Sequence, residues 1–120
     1  MDTLIIVLRI ILGIFFSFAG SMHIVKPKIF NRFIPNFLPK LVVNYIAGLL
    51  ELAIGIGLLI NQTSKQAALA MFILMLIFLP IHIWDVFRER PAIGSKKIAI
   101  IRVPLQFLLL YIAYLIYTHQ

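Results

Sequence analysis

Four apolar runs divide this chain, and each is close to the thickness of a bilayer. They cover roughly Thr3–Val25, Leu41–Ile60, Gln66–Phe87 and Ile98–Tyr117. A helix needs about 20 residues to cross the hydrocarbon. Lipid offers backbone groups no hydrogen bonds, so each run must be helical. The expected fold is all-α: a four-helix transmembrane bundle, one domain over residues 1–120. The chain is 62% hydrophobic and 12% charged, whereas soluble domains carry about 25% charged residues. A soluble core of this size has no room for so much apolar surface, and no length remains for a separate catalytic domain. The first run is expected to be a retained span. Small residues Ser17, Ala19 and Ser21 resemble a signal-cleavage site, but only Asp2, and nothing basic, lies ahead of the apolar core.

The connections carry the charge. Loop one, Lys26–Lys40, sets Ile29, Phe30, Phe33, Ile34, Phe37 and Leu38 among Lys28, Asn31, Arg32 and Asn36. Prolines 27, 35 and 39 forbid one long helix there. A short amphipathic helical turn in the membrane interface is expected. Loop two, Asn61–Lys65, is a short polar turn, and loop three, Arg88–Lys97, contains Pro91 and Gly94. Loops one and three share a side. They hold Lys26, Lys28, Arg32, Lys40, Arg88, Arg90, Lys96 and Lys97, against Lys65 alone in loop two. The positive-inside rule then places loops one and three in the cytoplasm and both termini outside, in a multi-pass integral membrane protein. The net charge of +7 reflects lipid contact and orientation, and nucleic-acid binding is not expected. With no cysteine, thiolate catalysis, disulfides and cysteine-held iron–sulfur clusters are excluded.

Glu51 lies near the middle of the second run. An intramembrane carboxylate is costly and usually faces a bundle interior with a partner. Counting depth at about 1.5 Å per residue, His23, Asn44, His82, Asp85, Arg102 and Gln106 fall in the same half of the membrane, with Glu51 deepest. Helical spacing puts these residues on shared stripes: Arg9, Gly13, Phe16, Gly20 and His23; Asn44, Ala47, Gly48, Glu51, Gly55 and Leu58; Met71, Met75, Phe78, His82 and Asp85; Arg102, Gln106, Leu109 and Ala113. The small residues on these stripes allow close helix approach. A polar cavity opening toward the basic loops is expected, with Glu51, Arg102, His23, Gln106 and Asn44 as candidate ligand-binding residues. Arg9, His82 and Asp85 are candidate structural or proton-relay partners. Asp85 is placed to pair with Arg102, and Glu51 with Arg9 or Arg102. The alternative is that the polar set only holds the bundle together: Asn44, Gln106 and Ser17 as interhelical hydrogen-bonders, His23 as a helix cap. No spacing of the zinc kind is present and no metal is assigned; two lone histidines are a poor basis for haem.

The sequence resembles the DoxX family of small four-span membrane proteins. The matching stretches are Phe15-Phe16-Ser17-Phe18-Ala19-Gly20-Ser21-Met22-His23 with Pro27; Ile34-Pro35-Asn36-Phe37-Leu38-Pro39; Tyr45-Ile46-Ala47-Gly48-Leu49-Leu50-Glu51 with Gly55 and Gly57; and Arg102-Val103-Pro104-Leu105-Gln106-Phe107 with Ala113 and Tyr114. They span nearly the whole chain, and the third run departs most. The family takes its name from a subunit associated with a thiosulfate:quinone oxidoreductase, and distant eukaryotic relatives look like assembly chaperones for nicotinic acetylcholine receptors. The resemblance therefore implies two roles. One is an accessory, redox-linked subunit binding a quinone or lipid. The other is a chaperone-like scaffold that binds partner transmembrane helices, with protein partners or a homo-oligomer. An autonomous enzyme activity is not expected in either.

Overall fold

In a computed structural model, which describes residues 2–119, the chain is all-α with four long helices. They are α1 (Thr3–Val25), α2 (Lys40–Leu59), α3 (Ser64–Val86) and α4 (Lys96–Thr118). All four are long and apolar enough to cross a membrane, so the protein is a multi-pass membrane protein. The longest dimension is 44 Å, matching the roughly 40–45 Å of a bilayer with its interfaces.

Two of the helices, α1 and α4, start on a side-chain cap. Asp2 caps α1 by accepting from the Leu4 N–H at 3.1 Å, and Ser95 caps α4 by accepting from the Ile98 N–H at 3.2 Å. Pro39 precedes α2, where its missing N–H costs nothing. Gly94 supplies the one positive φ among the described residues, 122°, in the turn before α4. Loop one contains a 3₁₀ helix over Pro27–Phe33. It is tighter than an α-turn, as expected where prolines interrupt the ladder.

The bundle is two hairpins. α1 packs mainly on α2 and α3 mainly on α4; α2 and α3 join them, while α1 and α4 scarcely touch. Within the first hairpin the backbones meet at two points. A Cβ on Gly20 would lie 2.6 Å from the Gly48 carbonyl oxygen, and one on Gly55 would lie 2.7 Å from that of Gly13. The seven-residue spacing in both helices keeps these contacts on one stripe.

Contents differ along the axis. Toward loop two the interior is mainly apolar, built from Ile5, Leu12, Leu58, Ala68, Met71, Leu110, Ala113 and Ile116, although Arg9 and Ser64 are buried there too. Toward loops one and three it holds Asn44, Glu51 and Asp85, all buried. The outer faces of all four helices expose large apolar side chains, as a lipid-facing surface requires.

Candidate intramembrane site

The close α1–α2 crossing positions the site. α1 and α2 run antiparallel, so His23 lies level with Gly48, where a Cβ would be 2.8 Å from the His23 Cβ. Glu51 stands about one turn deeper, and the missing Gly48 side chain leaves room for the two side chains to meet. His23 Nε2 is 3.6 Å from Glu51 Oε2, ion-pair range but too long for a hydrogen bond. On its other side His23 Nδ1 contacts Asn44 Oδ1 at 2.9 Å. The amide of Asn44 is oriented by its own partners: Nδ2 donates to the Lys40 carbonyl at 3.0 Å and to Asn31 Oδ1 at 3.1 Å. Oδ1 must then accept, and His23 Nδ1 carries the hydrogen. Nε2 of a neutral His23 is an acceptor facing a second acceptor, so a single proton on either the carboxyl or the imidazole reconciles the pair.

These groups border a cavity of about 240 Å³. Its polar lining is His23, Asn44, Glu51, His82 and Arg102; its apolar walls include Phe15, Phe16, Phe30, Phe33, Phe78 and Ile81. Two buried polar atoms of this lining have no hydrogen-bond partner: Glu51 Oε2 and Arg102 Nη1. Glu51 and Arg102 thus share a cavity without an ion pair within 4 Å. Loop one closes the basic end. The Phe30 ring stacks on His23 with centroids 3.7 Å apart, and Phe33 meets His82 edge-on at 5.9 Å.

Of the candidate ligand-binding residues, Glu51, Arg102, His23 and Asn44 come together on this cavity, and His82 joins them. Gln106 does not. It is fully buried between α3 and α4, donating to the Met75 carbonyl at 2.7 Å. It is an interhelical hydrogen-bonder, the alternative role.

Two of the expected pairings with arginine, Glu51 with Arg9 and Asp85 with Arg102, are corrected. Arg9 does not reach Glu51; its Nη1 donates to the Leu58 carbonyl at 3.0 Å. The last carbonyls of α2 lack helical partners and carry the negative end of the dipole, which gives a buried cation a partner without a carboxylate. Asp85 does not reach Arg102, nor does it hydrogen-bond His82. It accepts from the N–H groups of Ala92 at 2.7 Å and Ile93 at 3.3 Å, and lies 3.4 Å from Arg88 Nη1. It organises loop three. Ser17 bonds within its own helix, to the Gly13 carbonyl at 2.7 Å, and His23 bonds Asn44 instead of capping α1. Among the described residues, no three histidine, aspartate or glutamate side chains are placed to hold a metal ion.

Sequence reasoning missed Phe30 and Phe33 as cavity residues, treating them only as the apolar face of an interfacial turn. The available signal was their position just after His23, three residues apart, on a segment too short to leave the bundle end. It also missed Asn31, which completes the Asn44 network.

A family model described as a domain of unknown function, DUF8561, matches residues 12–117. No curated protein and no solved structure matches the chain.

Proposed function

We propose that this chain, which belongs to the DUF8561 family, binds the polar head of a small amphipathic membrane-soluble molecule in the Glu51–Arg102 cavity. The observation that carries this reading is the pair of buried atoms without a hydrogen-bond partner, Glu51 Oε2 and Arg102 Nη1, on one largely apolar cavity. Buried polar groups normally find partners, and an acceptor beside a donor asks for a ligand that offers both. Sites for whole drug-sized ligands run about 300–1,000 Å³. At about 240 Å³ this one suits a single ring with its polar substituents, the remainder lying outside. Phe15 lines the cavity and is also 56% exposed, so it borders both the cavity and the lipid-facing surface. A tail can leave there into lipid.

A quinone head meets these requirements. Its carbonyl accepts from Arg102, its reduced form donates to Glu51, and its ring lies against phenylalanines. The resemblance to quinone-linked DoxX subunits supports the same choice and an accessory, redox-linked role. The test is mild purification followed by mass spectrometry of the organic extract. Quinone is expected to co-purify and to be depleted about tenfold in Glu51→Gln or Arg102→Gln, the loss of one charge-assisted hydrogen bond. If no amphiphile co-purifies and added quinone analogues leave the melting temperature unchanged, the polar set is structural and the scaffold role takes precedence.

A further inference from the structure

A second groove lies outside the bundle interior, at the basic end between loop one and α3. Arg32, Lys40 and Arg88 line it, with Asn31 and Asn36 beside them and Pro80, Ile81 and Trp84 as its apolar wall. The cations are held here by the fold. Arg32 Nη2 donates to the Arg90 carbonyl, and Arg88 Nη1 donates to the Arg32 carbonyl. Lys40 Nζ donates to the carbonyls of Asn31 at 2.9 Å and Ile34 at 2.6 Å. The Arg88 guanidinium sits 4.4 Å over the Trp84 ring.

The donor count is unbalanced. A guanidinium has five N–H donors and an ammonium three. The contacts above use one on Arg32, two on Lys40, and on Arg88 one to Arg32 plus one toward Asp85. Asp85 lies 3.4 Å from Arg88 Nη1, and its oxygens are already engaged by loop-three N–H groups. Three like charges are therefore gathered in one groove with several donors to spare, which favours an anion with several oxygens. The groove is also amphipathic: Trp84 is 40% exposed and Phe37, on the same rim, 84%. Both lie at the end of the bundle where the lipid headgroups sit.

We infer that this groove binds the phosphate of an anionic phospholipid, with the glycerol and acyl body lying along Pro80, Ile81 and Trp84. The phosphate oxygens accept from Arg32, Arg88 and Lys40. Charge complementarity favours an anionic over a zwitterionic lipid, and the apolar wall favours a lipid over free phosphate. This site does not depend on what the Glu51 cavity binds.

The test uses the full chain in nanodiscs of phosphatidylcholine, with and without phosphatidylglycerol. Native mass spectrometry should show one phosphatidylglycerol retained in preference to phosphatidylcholine, together with a raised melting temperature. Arg32→Gln should reduce that preference about tenfold. Lys28→Gln removes the same charge from the same loop outside the groove and should leave the preference unchanged. Equal loss in both variants would mean diffuse attraction to a basic surface and would overturn the site. So would an equal stabilisation by inorganic phosphate in pure phosphatidylcholine discs. If Arg32→Gln does not fold, wild-type retention decides alone: no preference for phosphatidylglycerol overturns the proposal.

Discussion

Asn44 is fully buried and engages every polar atom of its side chain, accepting from His23 and donating to Asn31 and Lys40. It therefore ties α1, loop one and its own helix together, and it sets which His23 nitrogen faces Glu51. Asn44→Leu keeps the volume and removes all three bonds. His23 Nδ1 and Asn31 Oδ1 lose their partner in a region that water does not readily reach. We expect a destabilisation of about 1–3 kcal/mol, read as a lowered thermal midpoint in detergent; an unchanged midpoint would show that the network adds nothing. Arg9 gives a second prediction at this scale. Its partner is the Leu58 carbonyl, seven residues and about 10 Å along α2 from Glu51. Arg9→Met and Glu51→Gln should therefore act independently, their effects on stability adding within about 0.5 kcal/mol. A larger coupling would restore the direct pair that the charges alone suggest.

At the scale of elements, the first hairpin depends on absent side chains. A methyl on Gly20 would lie 2.5 Å from the Leu52 backbone nitrogen, and backbone cannot step aside. A methyl on Gly57 would meet only the Ala67 Cβ at 2.9 Å, and little else nearby. Gly20→Ala should thus separate α1 from α2 and cost at least the roughly 1–3 kcal/mol typical of overpacking. Gly57→Ala should cost less, part of the strain being offset by better helix propensity. Thermal midpoints of the two variants rank them, and an equal loss would mean that the close crossing is not what holds the hairpin. The glycine stripes were legible in the sequence because period alone puts Gly13 with Gly20, and Gly48 with Gly55, on one face. The four spans were legible for a similar reason, since lipid leaves an apolar run of that length only one fold. The partners of Arg9 and Asp85 were not. Depth counting compares side chains with side chains, whereas both residues bond backbone: Arg9 a terminal carbonyl of α2, Asp85 two N–H groups of loop three. Gln106 was placed at the right depth, but a few degrees of helix rotation decide between a cavity wall and a packed interface. Such rotation is set by the α3–α4 contact, which no single helix encodes.

For the whole molecule, the two ends differ in what they hold fixed. At the loop-two end, Lys65 lies 5.0 Å from the Tyr117 ring centroid, and it is the only basic residue in that loop. At the other end, eight lysines and arginines are spread over loops one and three, several of them bonded to backbone carbonyls of those loops. Interfacial cations that are fixed in this way cannot be carried across the membrane cheaply, and the charge bias should set the orientation with loops one and three in the cytoplasm. The absence of cysteine from the sequence makes a direct measurement simple, because one introduced thiol is the only reactive one. Gln62 in loop two and Glu89 in loop three are both exposed, and neither helps form the Glu51 cavity or the basic groove. In intact cells, Gln62→Cys should react with a membrane-impermeant maleimide. Glu89→Cys should react only after permeabilisation. The reverse pattern would turn the bundle over and place the basic groove on the outer leaflet. It would leave the Glu51 cavity unchanged but move its closed, loop-one end to the other side of the membrane. Labelling of both thiols in intact cells would mean a mixed orientation, in which the charge asymmetry of the loops does not decide insertion.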